Sequence, residues 1–408
     1  MAHFRAFHSV PTARSVRRPG TLFVLYLVLL GVTGCDLSQT GSDSTAPHAA
    51  TTSDYNSPGQ GEADASDSLE LLEPAELVEL VERTLAFTQE GRSLNFQQHA
   101  AWQLMHGALA YGRDFRARVQ SIPAANGTSG ESPQEESVIE WALSGKPMTG
   151  WILTPTEQGV RAELDPGKRG QGHEDQWLAI LSQWDVRVGD PVVVDGRQFK
   201  IYDVLRRAMY DCYEGKESSW MLIALANYLD PLDQTWTARD GESWSVARIV
   251  GMEAGPLYDE RQASQHINEA ACGGTHRLIG LATALNRYRQ VHPDVKLEGP
   301  WLAAAQRVQW AVETAQANQL PTGAFSILYF SRPANSASID EHLASTGHTL
   351  EFLSVALPPA RLREPWVRRA AIYLCDLLER TRGLDLECGA LYHAAHGLVL
   401  YRDRLSRD

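Results

Sequence analysis

The chain has 408 residues, a formal net charge of −13 at pH 7, 43% apolar residues and eleven tryptophans. That apolar share excludes a disordered chain and supplies a large packed core. The acidity opposes binding to nucleic acid and to anionic lipid headgroups. No P-loop, Gly-x-Ser-x-Gly, His-Glu-x-x-His, EF-hand, dinucleotide fingerprint or Cys-x-x-Cys pair is present.

Residues 1–20 carry Arg5, Arg14, Arg17 and Arg18 and no acid, and residues 22–30 (LFVLYLVLL) form an unbroken apolar run. A basic stretch followed by a run too short to span a bilayer is the pattern of a secretory signal. It ends in Val32-Thr33-Gly34-Cys35, which resembles the lipobox of bacterial lipoproteins. The resemblance implies a signal peptide over 1–34, a lipid on Cys35, and a protein exported and anchored to a bacterial membrane through that lipid. Cleavage removes four positive charges and moves the formal charge from −13 to −17. The following stretch, 36–68, is Ser, Thr, Gly, Asp and Ala with almost nothing apolar. It cannot bury enough surface to offset chain entropy, so 35–72 is expected to be a lipidated, disordered tether reaching roughly 30 Å.

From residue 73 two kinds of helix alternate. Segments 74–90, 135–143, 199–210, 244–252, 301–317 and 365–381 repeat apolar residues at three- and four-residue spacing, as a helix with one buried face does. Segments 99–111, 174–182, 217–229, 274–288, 347–357 and 391–401 are apolar all round, and such helices must be enclosed by others. The expected fold over 73–408 is therefore all-α: an α/α toroid of six inner and six outer helices, with a small β-hairpin inserted over 148–165.

Gln319-Leu-Pro-Thr-Gly323-Ala-Phe325 resembles the Gln-x-x-x-Gly-x-aromatic turn of terpene cyclases and protein prenyltransferases, which are α/α toroids. Asp240-Gly241-Glu-Ser-Trp244 reads as a degenerate second copy, and Asp211-Cys212-Tyr213 superficially resembles part of the prenyltransferase zinc site. Gly347-His348-Thr-Leu-Glu351 and Tyr392-His393 are similar to segments of the N-acylglucosamine 2-epimerase and cellobiose epimerase superfamily. There two histidines trade a proton at a sugar carbon beside a carbonyl. The arginine that follows the Tyr-His in that superfamily is missing.

In a toroid the inner-helix starts converge on one mouth, which would gather His99, His173, Glu217, His276, His348 with Glu351, and His393 with His396. Helix N-termini lower a histidine's pKa and keep the imidazole neutral and basic. The first expectation is proton transfer on a saccharide. His348 and His393 would be the acid–base pair, Glu351 would orient His348, and His276 would stand beside them. Trp102, Trp177, Trp220 and Tyr392 would hold the sugar. A two-carboxylate hydrolase using Glu217, Glu269 and Glu351, and a non-catalytic glycan- or peptide-binding lipoprotein, stay open. His393-x-x-His396 and Cys272-x-x-x-His276 have spacings a metal can use, but spacing fixes no third ligand, so neither metal nor cofactor is expected. Cys212, Cys272, Cys375 and Cys388 allow three disulfide pairings.

Overall fold

The computed structural model describes residues 72–90, 93–119, 134–164, 167, 170–232, 234–256 and 259–406. Cys35, the segment 1–34 expected as a signal peptide and the expected tether up to residue 71 lie outside them. No helix among the described residues is long and apolar enough to cross a membrane. The described chain is predominantly helical, with four small antiparallel strand pairs.

Each expected helix is present, with shifted ends. The one-faced helices are α1 (Pro74–Glu90), α3 (Val138–Leu143), α5 (Ile201–Tyr210), α7 (Val246–Ala254), α10 (Gly299–Ala317) and α13 (Pro365–Arg380). The all-apolar helices are α2 (Ala101–Tyr111), α4 (Gln176–Ser182), α6 (Ser219–Tyr228), α9 (Thr275–Val291), α11 (Ile339–Ala356) and α14 (Cys388–Leu405). Two short additions, α8 (Glu260–Asn268) and α12 (Pro359–Leu362), complete the set. Helix α1 starts with proline in its first turn and buries Leu77, Val81, Thr84, Leu85 and Thr88. Helix α6 buries every residue from Ser219 to Ala226.

The β content exceeds the single expected hairpin. The strand pairs are β1 (Arg116–Arg118) with β2 (Glu135–Ser137), β3 (Leu153–Thr156) with β4 (Gly159–Ala162), β5 (Pro191–Val194) with β6 (Arg197–Lys200), and β7 (Thr235–Thr237) with β8 (Ser243–Ser245). Three of them feed directly into α3, α5 and α7, so residues 135–137, 199–200 and 244–245, expected as helix, are strand. Strands of three or four residues are too short to show alternation. Asp195-Gly196, at φ 50° and 71°, makes the two-residue turn between β5 and β6. Asp240-Gly241 is likewise a hairpin turn between β7 and β8, with Trp236 paired across to Trp244. It is not a second copy of the Gln319 turn.

The Gln319 turn itself ties helices together. The Gln319 amide donates to the carbonyls of Gly323 (2.9 Å) and Trp366 (2.7 Å), and the Phe325 N–H donates to the Thr346 hydroxyl (3.1 Å). It thereby joins the end of α10 to α13 and α11. Gly323 sits at φ 91°, where a Cβ would meet the Arg369 carbonyl oxygen at 2.6 Å, so only glycine fits.

The all-apolar helices pack on one another in chain order: α2 on α4, α4 on α6, α6 on α9, α9 on α11, α11 on α14, and α14 back on α2. Helix α1 packs on α13 and α14. That contact includes the Arg382 guanidinium 4.1 Å over the Phe87 ring and a hydrogen bond from Arg368 to the Leu72 carbonyl. The four described cysteines are unbridged. Cys212, the middle residue of the triplet that superficially resembles part of the prenyltransferase zinc site, is buried with its thiol against Met221, and burial pushes that thiol up to about 12. Its neighbour Asp211 pairs with Arg207 at 2.7 Å and Arg161 at 3.3 Å, so the triplet is structural.

Candidate functional site

Helices α11 and α14 cross at two glycines. A Cβ on Gly347 would lie 2.6 Å from the Ala394 nitrogen, and one on Gly397 would lie 2.9 Å from the Gly347 oxygen. The backbones touch there, and the residues beside them are brought ring to ring. His348 stacks on His393 with centroids 3.8 Å apart and planes inclined by 26°. A third glycine does the same for α9 and α6: a Cβ on Gly280 would lie 2.8 Å from the Ser219 oxygen. His276, at the start of α9, thereby stands 4.7 Å from Trp220 and 5.1 Å from His348, centroid to centroid. One donor atom each of His276, His348 and His393 lies within 4.8 Å of the others, and all three residues are buried.

The hydrogen bonds behind these rings decide which nitrogen carries the proton. His348 donates from Nδ1 to the Ala344 carbonyl at 2.7 Å, leaving Nε2 buried without a partner. His393 donates from Nδ1 to Glu351, 2.9 Å from Oε2, and His396 donates from Nδ1 to Oε1 of the same carboxylate at 2.6 Å. His276 is unlike the others, since neither of its ring nitrogens has a partner. Unpaired buried polar atoms cost roughly 1–3 kcal/mol each, so this cluster calls for an explanation.

Burial keeps His276 and His348 neutral. Burial, then the neighbouring imidazoles His173, His348, His393 and His106, hold His276 well below the usual histidine range. Burial and the proximity of His393 bring His348 down to about 3, against an opposing pull from Glu351. Burial opposes ionisation of Glu351, but His393 and the two imidazole hydrogen bonds outweigh it and hold the carboxyl well below the carboxylate range. His276 and His348 are therefore neutral, with lone pairs available, and one buried carboxylate stands behind the cluster.

Several sequence expectations change. His348 sits in the middle of α11, which starts eight residues before the expected 347, so burial and not a helix N-terminus lowers its pKa. Ser338 caps that early start by accepting from the Glu341 N–H. Glu351 holds His393 and His396, not His348. Tyr392 points into the core, 5.4 Å from Phe115 and 6.5 Å from Tyr111, away from the histidines. His99 bonds locally to Asn95, and His106 takes its place in the cluster, 5.3 Å from His393. His106 lies one turn after Trp102 and donates to its carbonyl at 2.7 Å; a histidine in the middle of an apolar helix was the available signal. Trp102 is half-buried against His106, whereas Trp177 is fully buried against Trp151. The three candidate carboxylates have separate partners: Glu217 faces His173 at 3.6 Å, exposed Glu269 bonds Gln265, and Glu351 is enclosed.

The cavity beside Trp102, His106, Gln176 and Trp177 has a volume of about 10 Å³, room for one water. No metal follows from sequence spacing alone because the three ligands come from three separate helices and meet only in space. An equilateral triangle of 4.8 Å edge has its centre roughly 2.8 Å from each corner, against ~2.0–2.1 Å for a zinc–imidazole bond. The chain matches no protein-family model, no curated protein and no solved structure.

Proposed function

We propose that this protein is an exported, lipid-anchored α/α toroid that holds a divalent transition-metal ion on His276, His348 and His393. The carrying observation is the convergence of three buried donor atoms within 4.8 Å, with both His276 nitrogens unpartnered. The ring of helix contacts that ends with α14 on α2 supports a closed inner ring of six, surrounded by the six one-faced helices. The bonds from His348 to a carbonyl and from His393 to a carboxylate are what metal-bound histidines use to fix their tautomer and raise their basicity. Three imidazoles suit zinc, copper, iron or nickel, and leave a fourth position for water, whose pKa a zinc ion lowers to ~7. The test uses full-length chain in detergent, stripped by chelator and then titrated with Zn²⁺. At least one tightly held ion per chain is expected, and both His348→Ala and His393→Ala should lose one. A stripped protein that takes up no ion, or variants that match the wild type, would overturn the assignment.

A second reading has its own observation. Glu351 behind His393, with His348 stacked on it, is also the arrangement of a general base with a paired acid. On that reading the protein moves a proton on a saccharide, with Trp102 and Trp220 beside the sugar. The burial of both histidines and the water-sized cavity weigh against it. Turnover of reducing disaccharides or uronic-acid polymers by metal-free protein, abolished in His393→Ala, would favour it over the metal centre.

A further inference from the structure

We propose that His276 bridges two metal ions, one held with His348 and His393 and a second held with His173 and Cys272. The inference rests on the metal reading above and extends it. A second group of donors, one atom each from His173, Cys272 and His276, lies within 4.8 Å of one another, and the two groups have only His276 in common. His276 is close to both, its ring centroid 4.8 Å from that of His173 and 5.1 Å from that of His348. An imidazole has two nitrogens on opposite sides of the ring, and here both are buried and unpartnered. A single ion would use only one of them.

The backbone gives independent support. Cys272, Gly273 and Gly274 all have positive φ (50°, 60° and 80°), and Cys272 is a non-glycine residue in that strained region. Such strain persists where the surroundings enforce it, and it clusters at functional sites. The turn is enforced: a Cβ on Gly273 would strike the Tyr329 ring at 2.3 Å, and one on Gly274 would strike the Ile267 oxygen at 2.3 Å. The Thr275 hydroxyl closes it by donating to the Cys272 carbonyl at 2.8 Å. Cys272 therefore lies in a left-handed turn ahead of α9, not on the helix face its spacing suggested, and the turn brings its sulfur to His173 and His276. Thiolate and imidazole together suit zinc or copper.

Binding of the second ion displaces two protons to solvent, one from the Cys272 thiol and one from His276, which becomes an imidazolate. Two ions on opposite nitrogens of one ring sit roughly 6 Å apart at ~2 Å bond lengths. That is too far for the shared-oxygen clamp of hydrolases, whose ions are ~3.5–4 Å apart. The pair is thus a bridged centre and not a two-metal hydrolase.

Co²⁺ is the probe, added to chelator-stripped, detergent-solubilised full-length protein. Two ions per chain are expected, with a sulfur-to-cobalt absorption band that grows with the second. Cys272→Ser should lose the band and bind one ion. His173→Ala, which leaves the turn intact, should also fall to one ion. If the wild type binds none, the metal reading itself fails. Saturation at one ion, or two ions with no sulfur band, leaves that reading standing and overturns the bridge.

Discussion

Glu351 is the residue on which the site's tautomers depend, because one carboxylate accepts from both His393 and His396. A glutamine of the same shape has one acceptor oxygen, so one imidazole must give up its N–H partner or turn over. Substitutions behind metal ligands weaken binding roughly 10–100-fold. Glu351→Gln is expected to weaken Zn²⁺ by that factor in a competition with a chromophoric chelator; unchanged affinity would remove Glu351 from the site. A second buried acid predicts a pH effect. Glu253 is fully buried, accepts from the Ser218 N–H at 2.8 Å and faces Arg277 at 3.6 Å. Burial pushes its pKa up to about 7, against an opposing pull from Arg277, with Glu217 adding to the rise. A pKa raised by folding favours the native state fully below the unfolded value, and that contribution is lost as pH rises through the folded value. Stability should therefore drop between pH ~4.5 and ~7, by an amount on the order of 3 kcal/mol. Urea midpoints measured at pH 5 and pH 8 should differ in the wild type, and Glu253→Gln should flatten the difference.

At the scale of elements, Gly347 sets the approach of α11 to α14. A methyl there meets backbone atoms of α14 that have no freedom to yield, and overpacking of this kind costs roughly 1–3 kcal/mol. Gly347→Ala should lower the melting temperature and separate His348 from His393, so zinc affinity should fall with it. Gly189→Ala, where nothing lies within 4 Å, is the control expected to change neither. A Gly347→Ala protein with wild-type affinity would mean the helix crossing does not position the histidines. The glycines also show what a sequence reveals. The helices were legible because burial on one face leaves a period of 3.6 residues and burial on every face leaves a continuous apolar run. His276, His348 and His393 stood out as polar residues within apolar helices. Their meeting was not legible, since the contacts that stack them pass through glycine backbones on different helices. The role of Glu351 was misassigned for the same reason: three residues after His348 along α11, it reaches across to α14. The short strands ahead of α3, α5 and α7 carried no periodic signal at all.

For the whole molecule, the expected lipid on Cys35 makes membrane attachment a property of one atom. Labelling with a radioactive fatty acid should mark the wild type, and Cys35→Ser should abolish the label and release the protein from membranes; a soluble, unlabelled wild type would overturn the anchor. Diacylated attachment is stable where a single chain is not. The closure of α1 against α13 and α14 has a further consequence for biogenesis. In a chain that threads through a translocon N-terminus first, α14 emerges after the other described helices, and it carries His393. Until it docks, the apolar faces of α2 and α11 stay bare, and such surfaces are what chaperones hold against aggregation. The native pairing of first helix with last also gives the fold many contacts distant in sequence, the topology associated with slow folding. On the proposed export and metal readings, loading waits for α14: a chain halted before that helix lacks the His393 ligand.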